Sequence, residues 1–271
     1  VVHAAMFPTW EDGVSAVRDT VWQRCPLSLL RLSDANESQV GWKVGLAGRS
    51  TQRFLAETYL RWRHLGDGRC LALFGARGGA AEVSRTLRQA HAVFRRHGAV
   101  QLGAGPGHSW QRDRFRHPYL RDGLMDEGIG TDTLETATTW GNIGRLYAGV
   151  RQAMAQAIEN EQESVVVLCH MSHPYQDGSS LYFTFFFRLL DDVDATLARW
   201  ARIKIAATDA IVALGGTLSH HHGVGSMHAG WIEQEIGDVG CQILDASIKA
   251  ADPAAIMNPA ALRSAVDRLT S

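Results

Sequence analysis

A chain of 271 residues with 45% hydrophobic content has the material for one large domain or two small ones. A formal net charge of −1 leaves no basic footprint for nucleic acid or an anionic membrane surface, and no apolar run is long enough to cross a bilayer. The four cysteines, Cys25, Cys70, Cys169 and Cys241, form no close motif and read as free thiols of a reducing, cytoplasmic compartment. No secretory leader is visible, and the chain opens on Val1 inside a strand-like run, so a piece of a longer protein is expected.

Val1 to Phe7 is apolar and β-prone. From Trp10 to Arg24, Val14, Val17, Val21 and Trp22 fall at helical spacing, with Thr9 placed as the cap. Leu27 to Leu32 closes a β-α-β unit. Ala35 to Asp67 is polar and mixed, with a short helix in Arg53 to Arg63. Cys70 to Gly75, Ala80 to His97 and Ala99 to Leu102 repeat the pattern, the helix carrying Val83, Leu87, Ala90 and Phe94 on one face. Two such units predict an α+β fold with a ferredoxin-like antiparallel sheet and helices on one face.

Gly103 to Phe115 reads as a glycine-rich, charged loop, and Trp140 to Ile158 as a helix. Val165 to Met171 and Ser180 to Leu189 are strands. The second is apolar on both faces over most of its length, which predicts a central strand in a covered sheet. A long helix over Val193 to Leu214 leads to a short strand, Gly216 to Ser219. Trp231 to Ala250 forms a C-terminal helical segment, interrupted near Gly237 to Gly240 and ended by Asp252-Pro253 and Asn258-Pro259. The expected division is a sheet-and-helix part over 1–215 and a histidine loop with C-terminal helices over 216–271.

Chemistry-bearing residues gather in a few stretches. Ser219-His220-His221-His222-Gly223-Val224-Gly225 places three imidazoles and two glycines on a connection. Imidazole moves protons near neutral pH, and glycine lets a flat ligand approach the backbone. Three consecutive residues cannot all aim at one metal from a regular strand, though His220 and His222 share a face. Tyr182 is either a core aromatic or a general acid/base facing a pocket. His170 and His173 end a strand. Arg121 either grips a substrate anion or pairs with Asp122, and Asp132, Thr133, Glu135, Thr136 and Trp140 follow it closely. No Walker, G-x-G-x-x-G, nucleophile-elbow, C-x-x-C or HExxH motif occurs, and Gly103-Ala104-Gly105-Pro106-Gly107 only imitates a phosphate loop.

Together these stretches resemble the C-terminal half of FAD-linked oxidases of the vanillyl-alcohol oxidase type, most of all the alkyldihydroxyacetonephosphate synthase branch. The resemblance rests on Phe7-Pro8, Arg31-Leu32-Ser33-Asp34, Tyr119-Leu120-Arg121-Asp122 and Glu135-Thr136 with Trp140. It continues through Tyr175 to Tyr182-Phe183, Ser219 to Gly225, and Asp252-Pro253 with Ile256-Met257-Asn258-Pro259. It implies a cap, or substrate-binding, domain of a flavoenzyme, inactive without an FAD-binding domain on the same or a partner chain. A homodimer is left open. Tyr182 and His220 to His222 would lie by the flavin as catalytic groups. His221, His222, Gly223 and Gly225 would contact FAD, and Arg121, His170 and Glu135 would bind substrate.

The sequence also departs from that branch. Where the synthase carries Lys-Leu-Arg after its histidines, this chain has Ser226, Met227 and His228, and His170 follows Cys169 where the synthase has Arg. The first change removes two cations and the second one, which points away from a phosphorylated substrate. The expected reaction is oxidation of a small alcohol or hydroxy-acid-like substrate by hydride transfer to flavin. The alternatives are synthase-like flavin adduct chemistry on an acylated ketone phosphate, a histidine-metal hydrolase, and a non-catalytic binding module. The lactate and 2-hydroxyglutarate dehydrogenase branch places a His at Tyr182 and a Glu at His221 to form its metal site. This chain has neither, so no catalytic metal is expected.

Overall fold

The computed structural model describes residues 1–45, 50–116, 119–159 and 163–258. The elements run β1 Val2–Phe7, α1 Trp10–Trp22, β2 Leu29–Ser33, α2 Ala35–Gly45, α3 Ser50–Trp62, β3 Cys70–Gly75, α4 Ala80–Arg96 and β4 Val100–Gly103. They continue with α5 Gly105–Asp113, α6 Leu120–Asp126, β5 Ile129–Thr139, α7 Ile143–Gln156, β6 Val166–Met171, β7 Gly178–Arg188, α8 Val193–Ala213, α9 Gly225–His228 and α10 Ile232–Ala251. A single 3-10 turn, Ala229–Trp231, joins the last two. The strands form one antiparallel sheet in the order β4-β1-β3-β2-β6-β7-β5.

The first four strands carry the ferredoxin-like path expected of them: β1-α1-β2 and β3-α4-β4, with β1 and β3 side by side and β2 and β4 outside. The later elements retrace it. Strands β6, β7 and β5 follow the same order, and the segment after α8 runs along β5, with Thr217 N–H bonding Ala137 O at 3.0 Å and His220 N–H bonding Glu135 O at 3.2 Å. That extended segment ends at the histidines, which is why they emerge on a turn.

Contacts divide the chain into two compact units, residues 1–126 with 168–184, and residues 127–167 with 185–271. In the first, Phe7, Phe74 and Phe94 meet edge to face, with ring centroids 4.8–5.1 Å apart. Helix α1 is capped by Thr9, whose hydroxyl accepts Asp12 N–H at 3.1 Å. It buries Trp10, Gly13, Ala16, Val17 and Thr20, while Trp22 is exposed and its indole N–H reaches Gln176 O at 2.8 Å. In the second unit α7 and α8 bury Ile143, Leu146, Val150, Met154, Ile203, Ala207 and Ile211. Leu218, Ile232 and Cys241 form a further apolar cluster beneath the histidine turn.

Three expectations need correction, and one strand, β5, is unmarked in the sequence reading. Gly103 to Phe115 is not a loop: α5 begins at Gly105, where Pro106 in the first turn is pre-set for a helix and needs no N–H partner. Ala35 to Asp67 holds two helices, α2 and α3. Strand β5 is hidden from a hydrophobicity reading because its β-prone side chains are largely threonines. Strand β7 is not covered equally: Leu181, Phe183, Phe185 and Phe187 are buried, whereas Tyr182, Thr184 and Phe186 are partly open. The interruption in α10 lies at Gly237, with φ 68° and ψ 172°. Pro118 and Pro259 lie outside the described residues, and no described helix is long and apolar enough to cross a membrane.

Candidate active site

In the second unit the histidine turn closes on one carboxylate. Glu135, on β5, is 5% exposed. Its two oxygens lie 3.2 Å from His220 Nδ1 and 3.3 Å from His222 Nε2. His220 and His222 therefore share a side, as strand alternation requires. His221 does not face away from them: its φ is +65°, which breaks the strand and stacks its ring on His220 at 3.9 Å. His220 is half-buried, and His221 and His222 are exposed. A carboxylate so placed favours a proton on the imidazole nitrogen of each ring that faces it. The extended segment before the turn is pinned by Glu235, which accepts Thr217 Oγ1–H at 2.5 Å and Leu218 N–H at 2.6 Å.

Further along the same unit, Lys204 on α8 is 5% exposed and donates to Asp132 Oδ2 at 2.8 Å and Thr133 O at 2.5 Å. The Trp200 indole N–H donates to the same carboxylate oxygen at 2.9 Å. His228 is buried, and its Nδ1 has no hydrogen-bond partner. Burial, helped by the charge of Lys204, pushes its pKa down to about 4. The imidazole is thus neutral where the synthase branch has a cation.

This depression sets a pH dependence. An unfolded chain takes up a proton on His228 as pH falls below 6.5, and the native state resists until about 4. Native stability should therefore fall through that window, by up to about 3 kcal/mol. Thermal melts of the wild type and His228→Asn between pH 7.5 and 4.5 should show the wild type losing more. Parallel curves would contradict the assignment.

In the first unit, Tyr182 stacks face to face on His170, with ring centroids 4.8 Å apart and planes 17° apart. His170 sits on β6 opposite Ser33 of β2, and its Nδ1 lies 3.1 Å from both Arg31 Nη2 and Glu37 Oε1. Arg31 and Glu37 are themselves 2.6 Å apart. Burial raises the carboxyl pKa of Glu37, but the charges of Arg31 and His170 outweigh it and hold the group at about 2. His170 is therefore buried and networked. Arg121 is exposed on α6, and its described ion pair is with Asp122 at 3.6 Å. Among the described residues no three His, Cys, Asp or Glu side chains converge as a metal site.

The residues that sequence reading passes over are Glu37, Lys204 and Glu235; Arg31 and His228 are noticed there without a site role. Two had a visible signal. Asp34-x-x-Glu37 is a helix-capping pattern, and Lys204 is one of three lysines in the chain and lies inside a helix.

The family described as FAD linked oxidases, C-terminal domain, matches residues 1–262. Alkyldihydroxyacetonephosphate synthase of Dictyostelium discoideum is 28% identical over 263 residues, covering 95% of this chain and 43% of the synthase. The Caenorhabditis elegans synthase is 30% identical over 265 residues, with 95% and 44% covered. A solved structure of alkyldihydroxyacetonephosphate synthase matches with a TM-score of 0.74 at 25% identity, covering 95% of this chain and 44% of that one. This chain spans less than half the length of those relatives. With that fold and those matches, the chain belongs to the C-terminal domain family of FAD-linked oxidases.

Proposed function

We propose that this chain is the substrate-binding, or cap, part of an FAD-dependent oxidoreductase that oxidises a small alcohol or hydroxy acid, with Tyr182 taking the hydroxyl proton. The observation that carries this reading is the setting of Tyr182. Its phenol stands on the partly open face of β7 and stacks on a networked histidine, while its strand neighbours Leu181 and Phe183 are buried. FAD, when bound, supplies the hydride acceptor.

The histidine turn fits the ring end of that cofactor. A Cβ built on Gly223 or Gly225 would meet nothing within 4 Å, so a flat group can come down on the backbone there. Ser219 Oγ, beside them, is buried without a hydrogen-bond partner. His221, His222, Gly223 and Gly225 would hold the ring, with Glu135 fixing the orientation of His220 and His222. An FAD-binding domain on the same or a partner chain would hold the phosphates. His170 would supply a polar group for the substrate beside Tyr182.

A second reading, synthase-type chemistry on a phosphorylated substrate, is favoured by the relatives' activity and by the cation of Arg31 beside His170. Anaerobic addition of primary alcohols and 2-hydroxy acids to the full-length, FAD-loaded protein separates the two. Bleaching of the visible flavin band by any of them supports oxidation. No bleaching by the whole panel overturns oxidation in favour of synthase-type exchange.

A further inference from the structure

Tyr182 rests on a histidine that is held from two other elements. We propose that Glu37 is a positioning residue for Tyr182: with Arg31 it clamps the His170 imidazole face-on against the phenol ring, and so sets the charge that the phenol hydroxyl feels. The inference rests on the reading of Tyr182 as the proton-transferring group.

Local structure shows that Glu37 has been diverted to this task. Asp34 caps α2, its Oδ1 accepting Glu37 N–H at 2.8 Å. In a capping box the Glu at the third helical position would reach back to the cap's own N–H. Here the N–H of Asp34 is already bonded to Cys169 O at 2.8 Å, one residue before His170. The Glu37 carboxylate turns instead to Arg31 Nη2 at 2.6 Å and His170 Nδ1 at 3.1 Å. A local rule given up in this way marks a side chain held by something other than helix stability.

The chemistry of the triangle makes Glu37 its controlling member. Arg31 Nη2 can only donate, so His170 Nδ1 cannot bond it while also giving a proton to Glu37. With Glu37 ionised, both nitrogens point their protons at one carboxylate oxygen. Without it, Arg31 faces His170 Nδ1 at 3.1 Å and forces the other tautomer or drives the ring out of the stack. The charged and titratable groups around His170 are then Arg31 from β2, Glu37 from α2 and the stacked Tyr182 from β7. Loss of the anion leaves Arg31 uncompensated and favours the phenolate. Loss of the cation leaves Glu37 uncompensated and disfavours it.

The test uses the full-length, FAD-loaded protein labelled with 13Cζ-tyrosine. The Tyr182 resonance, assigned by its loss in Tyr182→Phe, is followed against pH by NMR. Glu37→Gln should move its midpoint down by about 1 unit and Arg31→Gln up by about the same. Glu37→Asp, which keeps the charge and loses reach, should shift it less than Glu37→Gln does. If Glu37→Gln does not fold, Arg31→Gln decides on the upward shift, and Arg31→Lys, which keeps the charge, should show much less of it. Shifts of the same sign, or none, overturn the proposal, because a merely structural role has no reason to give opposite signs. An unchanged flavin-reduction rate in Tyr182→Phe would remove the acid/base reading, yet the NMR shifts would still decide the role of Glu37.

Discussion

Tyr182→Phe in the FAD-loaded, full-length protein is expected to slow flavin reduction by substrate roughly 10²–10⁴-fold, the usual worth of a positioned proton acceptor. The change removes one oxygen and keeps the ring, so the stack on His170 and the packing beside Phe183 survive. The melting temperature should barely move. A purely structural Tyr predicts the reverse: loss of a hydrogen-bonded hydroxyl costs about 1 kcal/mol of stability and leaves the rate alone. His221→Ala and His222→Ala should also slow reduction. Stopped-flow reduction beside a thermal melt makes the decision, and an unaltered rate in Tyr182→Phe would end its catalytic assignment.

The parts of the fold legible in the sequence are those where hydrophobic spacing and burial coincide. Helix α4 buries Leu87, Ala90 and Phe94 at the spacing that the sequence shows, and the path β4-β1-β3-β2 follows from two β-α-β units in series. Strand β5 breaks that link, because the side chains that make it a strand are polar threonines. On β7 the sequence shows aromatic residues on both faces, but it cannot show that one face is less covered. That difference separates Phe183 from Tyr182.

The site follows the same division. The histidine turn is visible because three adjacent imidazoles are unusual on any reading, and Glu135 can be suspected from its sequence alone. Their meeting cannot, since 85 residues separate His220 from Glu135 and only the strand-like pairing of 217–220 with β5 joins them. Glu37 is masked for a related reason. In sequence it completes a capping pattern, and only the bond from Asp34 N–H to Cys169 O shows that the pattern is not used as one. Two of the three cation positions that the sequence reports as lost are, in space, each beside another cation: Arg31 by His170, and Lys204 by His228.

Asp132→Ala is expected to destabilise the protein by about 3 kcal/mol, at the low end for breaking a buried ion pair. Lys204 is 5% exposed, and with Asp132 gone its described hydrogen bonds reduce to the one with Thr133 O. A buried ammonium left with a carbonyl is far from satisfied. The low end applies because the Asp132 side chain is 32% exposed, so water can enter the vacated space. Lys204→Met should cost less, since the carboxylate it abandons is partly solvated and keeps the Trp200 indole N–H. The double variant should recover most of the loss. Urea titrations of the four proteins at neutral pH read these costs. A larger cost for Lys204→Met than for Asp132→Ala would sink the argument. Because β5 carries Asp132 and, three residues on, Glu135, the same loss should loosen the carboxylate that gathers His220 and His222.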